Sequence, residues 1–170
     1  MRAGWYERNG AARDVLTVGE LPTPQAGPGE VRVRVHASGI NPSDVKKRAG
    51  FRGQVITDPR IIPHSDGAGI IDQLGPGVQS ARLGERVWVH SAQFQRANGT
   101  AAEFVTVPAA LATRLPNNTD FAAGACIGSR TQRRRWTECW YKEASWCRSS
   151  AGTCLRRGSP EPRIFTSLSA

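Results

Sequence analysis

Short runs of alternating apolar and polar residues, separated by turns, make up the first 128 residues of the chain. In the clearest run, residues 30–37, valine alternates with arginine or histidine, which is the period of two expected of a half-buried strand. Weaker runs predict further strands at 14–21, 68–74, 86–90, 102–107 and 112–115. Because glycine and proline occupy the intervening segments, the pattern predicts a mainly β fold, a small barrel or sandwich.

Two short helices interrupt this pattern. Residues 42–50 place Pro42 near the start, Asp44 in the first turn and Gly50 at the end, positions where each of these residue types is favoured. A second helix is expected to begin near Asp120, within residues 120–128.

The pattern is lost after Gly128. Residues 129–170 contain three of the five tryptophans, eight arginines and no aspartate, and neither the strand period nor the helix period persists. Nine Lys/Arg against three Asp/Glu give this segment a charge of +6, out of +9 for the whole chain. Periodicity alone therefore predicts a disordered basic tail after a domain of residues 1–128.

Several protein classes are disfavoured by the composition. No apolar stretch approaches the roughly 20 residues of a membrane span, and the first residues lack a signal-peptide segment, so we expect a cytoplasmic protein that does not enter a membrane. Without a secretory context the cysteines are expected to be free thiols, and their spacing lacks the paired hooks of a zinc site. They are Cys126, Cys139, Cys147 and Cys154.

Four segments carry a resemblance to a known family. They are residues 30–44, ending in Asn-Pro-Ser-Asp; residues 63–78, beginning Pro-His-Ser-Asp-Gly-Ala-Gly; residues 83–88, Leu-Gly-Glu-Arg-Val-Trp; and residues 99–108, Gly-Thr-Ala-Ala-Glu-Phe-Val-Thr-Val-Pro. In this order they resemble the medium-chain dehydrogenase/reductase superfamily. The resemblance implies that residues 1–128 form its GroES-like β-barrel catalytic domain, which a Rossmann-type cofactor domain should follow.

The resemblance also bears on metal use. Zinc-dependent members carry a cysteine and a histidine in segments similar to those around Asn41 and Ser65. An amide and a hydroxyl are poor zinc ligands, so we expect no catalytic zinc. The chain is therefore similar to the quinone-reductase branch, whose members use NADPH to reduce small-molecule quinones or activated double bonds such as enones.

This resemblance implies roles for a few residues. Asn41 would lie at the mouth of the cofactor cleft, where its amide could donate to a substrate carbonyl that develops negative charge; the alternative is that it only hydrogen-bonds the turn before the helix. Asp44 is a candidate acid, with a role at the helix start as the favoured alternative. Lys46 stands where quinone reductases often have tyrosine, and its cation could attract a carbonyl oxygen. Asn41 and Pro42 are weak candidates for cofactor contact.

The strand and glycine turn expected at the start of the cofactor domain do not follow Gly128, and the genetic code offers an explanation. Codons built from the third base of one codon and the first two of the next read, across residues 136–144, as Asp-Gly-Val-Leu-Val-Gln-Gly-Gly. The Asp, the Leu and the second Val are forced, and the other residues are permitted. This reading is the strand and glycine turn that would set a helix N-terminus against the cofactor pyrophosphate. We interpret residues 129–170 as out-of-frame translation after a frameshift near Ser129; the alternative is a natural basic tail.

Three functions are consistent with these patterns. The first is an NADPH-dependent quinone or enone reductase by resemblance, truncated, monomeric and inactive alone. The second is a cofactor-free binding or structural barrel module. The third, a nucleic-acid binder that uses the basic tail, is the least favoured because the shifted frame explains the tail's composition.

Overall fold

A computed structural model of the chain describes residues 1–53, 56–128, 146–148 and 154–156. Its main feature is a five-stranded antiparallel sheet of strands β3 (Glu30–Gly39), β4 (Asp66–Leu74), β5 (Arg86–Val89), β6 (Phe104–Pro108) and β7 (Ala112–Arg114). The order across the sheet is β6-β3-β4-β5-β7. The prediction of a mainly β fold with a few short helices is confirmed.

The core of this sheet follows from the alternation in the sequence. Val31 and Val33 of β3 are fully buried, whereas Arg34 on the other face is exposed. Burying such a side chain stabilises the fold by roughly 1.5–3 kcal/mol. The cluster around them draws buried residues from the other strands: Ile71, Val87, Val89, Val105, Val107 and Ala112, with Ala92 from a loop.

A two-stranded antiparallel sheet precedes the main one. It pairs β1 (Arg2–Trp5) with β2 (Thr17–Glu20), and helix α1 (Ala12–Val15) lies between them. The strand predicted at 14–21 is therefore wrong at its start. Leu16 N–H donates to the carbonyl of Ala12 at 3.0 Å, and the helical turn buries Val15 beside Tyr6 and Ile61, which outweighs the weak alternation of the sequence.

Two helices border the sheet. Helix α2 (Pro42–Arg48) follows β3 after two residues, close to the predicted span, and Ala49 and Gly50 end it. Helix α3 (Phe121–Ala125) begins where expected, because the Asp120 carboxylate accepts the N–H of Ala123 at 2.7 Å. Short 3-10 turns occur at Phe51–Gly53, Ser80–Arg82 and Ala109–Leu111. No helix in the described ranges is both long and apolar enough to cross a membrane.

The chain divides into two compact units, Met1–Gln132 and Arg133–Ala170. Within the second unit, β8 (Trp146–Arg148) and β9 (Cys154–Arg156) pair antiparallel. The other residues of 129–170 lie outside the described residues, so the predicted disordered tail and its out-of-frame origin remain predictions.

Candidate functional site

Asn41 lies at the junction between β3 and α2. Its backbone is extended, with φ −117° and ψ 155°, and its N–H donates to Oδ2 of Asp44 at 2.7 Å. Pro42, which is exposed, takes the first helical position, where the lack of an N–H costs nothing. The local sequence therefore fixes the direction in which Asn41 leaves the strand.

The side chain of Asn41 reaches the neighbouring strand. Its Nδ2 donates to Oδ2 of Asp66 at 2.9 Å, and Asp66 is only 2% exposed. Since the carboxylate oxygen is the acceptor in this contact, the hydrogen bond sets the orientation of the amide. The amide oxygen faces the backbone N–H of Asp44 in the capping box of α2, which leaves one N–H of Asn41 for a ligand.

The sheet register brings these residues together. Gly39, at the end of β3, pairs with Asp66, at the start of β4. A Cβ at Gly39 would lie 2.3 Å from the carbonyl oxygen of Ala125, so only glycine lets α3 approach this strand end. A Cβ at Gly128 would lie 2.1 Å from Oδ1 of Asp66, which places backbone directly against that carboxylate.

Asp44 has the helix-start role that was the favoured alternative. It is 6% exposed and accepts the N–H of Asn41, an arrangement typical of an N-terminal helix turn. Burial raises the pKa of the Asp44 carboxyl, and the hydrogen bond from Asn41 opposes that rise. A role as an acid stays a prediction.

Lys46 occupies the exposed side of the same helix. Its ammonium lies 5.3 Å from the centre of the Phe51 ring, a distance at which a cation interacts with an aromatic face. Asn41, Asp44 and Asp66 are thus joined by hydrogen bonds, whereas Lys46 interacts with an aromatic ring instead.

A second hydrogen-bonded group beside Asn41 was not foreseen. Ser38 Oγ lies 2.8 Å from His64 Nδ1 and 2.9 Å from Thr100 Oγ1. His64 was expected to have a structural role only, and no local pattern could have found the group, since His64 and Thr100 lie 26 and 62 residues from Ser38. The one feature of the sequence that could have drawn attention to His64 was its position directly before Ser65 and Asp66.

The five-stranded antiparallel sheet, with its strand-to-helix junction at the end of β3, has the architecture of a GroES-like domain. The family model "Alcohol dehydrogenase GroES-like domain" matches residues 27–117, more than half of the chain. The chain therefore belongs to this family, and the resemblance to its quinone-reductase branch is confirmed.

Three relatives illustrate the similarity. The chain is 35% identical over 108 residues to quinone oxidoreductase of Rattus norvegicus, covering 64% of this chain and 31% of that protein. It is 34% identical over 151 residues to a mycocerosic acid synthase-like polyketide synthase of Mycobacterium tuberculosis, covering 84% of this chain and 7% of that protein. The solved structure of a mycobacterial quinone oxidoreductase matches with a TM-score of 0.63 and 31% identity, covering 74% of this chain and 36% of that one.

These comparisons also show how much of each relative is present. The chain spans about a third of the length of the two quinone oxidoreductases. The polyketide synthase match covers a larger share of the chain than residues 1–128 make up, so it includes residues beyond Gly128.

Proposed function

We propose that residues 1–128 are the catalytic-domain part of an NADPH-dependent oxidoreductase that reduces quinones or activated double bonds without zinc. The observation that carries this proposal is the hydrogen bond between Asn41 and Asp66 at the end of β3. The names of the relatives support it, since two of them are quinone oxidoreductases and a related mycobacterial protein is solved in complex with NADPH.

The residues of this chain would act through charge stabilisation. NADPH, when bound, supplies the hydride. Asp66 holds one N–H of Asn41, and the second N–H would donate to the substrate oxygen as negative charge develops there. A donor oriented in advance by a buried partner stabilises such charge without reorganising during the reaction.

Zinc does not fit this donor set. The Asn41 amide presents an N–H to Asp66, whereas a metal ligand must present a lone pair. Ser65 offers only a hydroxyl in place of an imidazole. Within the described residues, no group of three or more His, Cys, Asp or Glu side chains is arranged to hold a metal ion.

The cofactor domain is the second part of the proposal. We infer that residues 129–170 are out-of-frame translation, so that the glycine turn for the pyrophosphate is lost together with the rest of that domain. A barrel alone supplies only one wall of the cleft, and this chain should then have negligible NADPH affinity and no activity.

Repair of the reading frame tests this proposal. A chain that translates Asp-Gly-Val-Leu-Val-Gln-Gly-Gly after residue 128, followed by the rest of that frame, should bind NADPH and reduce quinones. In the repaired protein, Asn41→Ala should lower kcat by roughly ten- to a thousandfold. Ser43→Ala, which changes an exposed residue of α2, is the matched control and should leave kcat unchanged.

Two results would contradict the proposal. An unchanged rate in Asn41→Ala would limit that residue to its structural role. Robust NADPH-dependent turnover by the 170-residue chain itself would overturn the argument that the cofactor site is missing.

A further inference from the structure

A row of three side chains connects a buried carbonyl to a partly exposed histidine. Thr100, which is 1% exposed, donates through its hydroxyl to the carbonyl oxygen of Asp66 at 2.5 Å. Ser38 Oγ lies 2.9 Å from Thr100 Oγ1 and 2.8 Å from Nδ1 of His64. The row ends beside the Asn41–Asp66 pair.

The donor in each hydrogen bond of this row follows from the Asp66 carbonyl at its buried end. A carbonyl oxygen can only accept, so the single hydroxyl proton of Thr100 is committed to Asp66. The alternative acceptor, the carbonyl of His64, is 3.5 Å away and much weaker. Ser38 must then donate to Thr100, and it can only accept from His64. The imidazole is therefore protonated at Nδ1.

The other ring nitrogen is thereby left as the reactive atom. Among the described residues, Nε2 of His64 makes no hydrogen bond, and the ring is partly exposed. In a histidine the partner of one nitrogen determines what the other can do. Nε2 can accept a proton and release it again while Nδ1–H keeps its bond to Ser38.

The backbone holds His64 in place. Its φ is +74°, a left-handed conformation that is uncommon outside glycine but favoured by histidine relative to most residues. Its carbonyl accepts the N–H of Thr100 at 2.9 Å, and the adjacent Pro63 carbonyl accepts the N–H of Ala101 at 3.1 Å. Backbone strain of this kind tends to occur at functional sites.

Burial and a nearby charge act on the ring in opposite directions. Asp44 on α2 favours the protonated imidazole, but burial has the larger effect and lowers the pKa of His64 below its ordinary 6.5. Asp66 and Lys47 act on Asp44 with opposite sign, and burial also lowers the pKa of His90, which Asp66 opposes. At neutral pH the imidazole is therefore mainly neutral, with a free lone pair on Nε2.

We propose that His64 is the proton-transfer residue of this cleft, with Nδ1 anchored through Ser38 and Thr100 and Nε2 exchanging the proton with the substrate oxygen. This proposal rests on the proposed function. Before reduction, Nε2 takes a proton from hydronium in the solvent, which leaves water, while Nδ1–H keeps its bond to Ser38. When bound NADPH delivers hydride to the substrate carbon, an electron pair would move to the substrate oxygen. The Nε2–H bond would then break with its electron pair staying on nitrogen, the O–H bond would form, and the ring would return to its neutral Nδ1–H tautomer.

The tautomer can be measured in the 170-residue chain, with no need for activity. Long-range ¹H–¹⁵N correlation NMR at pH 7 should show His64 with a protonated Nδ1 and an unprotonated Nε2. Ser38→Ala and Thr100→Val should each shift the tautomer ratio toward Nε2–H by about fivefold, as expected for one neutral hydrogen bond. Thr100→Ser retains the hydroxyl and should behave as wild type. His36, which stacks on Phe121, is the internal reference.

A titration with a soluble hydroquinone, at millimolar concentration, tests the proton-accepting nitrogen. Hydroquinone should shift the Nε2 resonance of His64 and leave the resonances of His36 unchanged. His64→Asn should weaken hydroquinone binding by at least threefold. Asparagine is chosen because it tolerates the left-handed backbone at this position. An Nε2–H tautomer, or a ring that does not respond to hydroquinone, would overturn the proposal. Because Ser38 is exposed, its variant remains informative even if Thr100→Val does not fold. A repaired enzyme that reduces no quinone would overturn the proposed function and leave these two measurements standing.

Discussion

Burial drives two facing residues of the site toward their neutral forms. It raises the pKa of the Asp44 carboxyl and lowers the pKa of the His64 imidazole. Asp44 and His64 nevertheless attract each other when both are charged, which opposes burial in each case. Desolvation is the larger effect for both groups, so the pKa of each moves in the direction that favours its neutral form.

The raised pKa of Asp44 predicts a particular dependence of stability on pH. The folded chain binds a proton at Asp44 more tightly than the unfolded chain does, so this group adds stability below its ordinary pKa of 3.8, and that stability is lost as the pH rises through the folded value. Asp44→Asn removes this dependence while keeping an oxygen for the N–H of Asn41. As the pH is raised from 3 to 5, the free energy of unfolding measured with urea should fall for wild type relative to the variant. Parallel pH profiles would contradict the shift.

At the scale of elements, the sequence predicted those strands and helices that local alternation and capping residues determine. Strand β3 and helix α2 lie close to their predicted places because both carry strong local signals, valine alternation in one and Pro42 in the other. The error at 14–21 arose where alternation was weak and burial of Val15 decided the local conformation. The site itself depends on how β3 and β4 are aligned, because this alignment places Gly39 opposite Asp66. The alternation of apolar and polar residues within either strand does not determine that alignment.

The turns at the other end of β3 and β4 illustrate how tightly this register is held. Gly75 N–H donates to the carbonyl of Glu30 at 2.8 Å, and a Cβ at Gly75 would lie 1.7 Å from the carbonyl oxygen of Gly27. Gly77, two residues later, has φ +84° and open space around it. The two glycines are therefore required for different reasons, one for close approach and the other for backbone conformation.

Substitution by alanine should separate these reasons. Gly75→Ala forces backbone apart and should destabilise the domain by about 3 kcal/mol or more. Gly77→Ala meets no atom and should cost only about 1 kcal/mol for the left-handed conformation. Chemical denaturation of both variants gives the comparison. Equal losses would show that the strand ends can separate to accept the extra methyl group.

At the scale of the whole molecule, the order of motifs was sufficient to recognise the family, whereas the proton row was not accessible. Ser38, His64 and Thr100 come from three separate segments, and only the fold joins them. Residues 129–170 present the opposite case, because their interpretation comes from the sequence alone. Their codons permit a strand and a glycine turn in another frame, whereas their own residues keep neither the strand period nor the helix period.

The last prediction concerns the independence of the first unit. Among the described residues, the apolar clusters and the Asn41–Asp66 site lie within residues 1–128, and the first compact unit ends at Gln132. If residues 133–170 are out-of-frame translation, selection has not shaped them to pack. A fragment of residues 1–132 should therefore unfold cooperatively, with a Tm within about 4 °C of the full chain, a shift worth roughly 1 kcal/mol or less.

Two comparisons make this test decisive. Limited trypsin digestion of the full chain should cut within residues 129–170 first, at one of its many arginines, and leave a core close to the 1–132 fragment. A control fragment of residues 1–119 lacks α3, whose Ala125 packs with Ala68, Trp88 and Leu115, and should lose about 2–4 kcal/mol. If the 1–132 fragment proved as unstable as this control, residues 133–170 would be part of the folded protein, and their out-of-frame origin would be untenable.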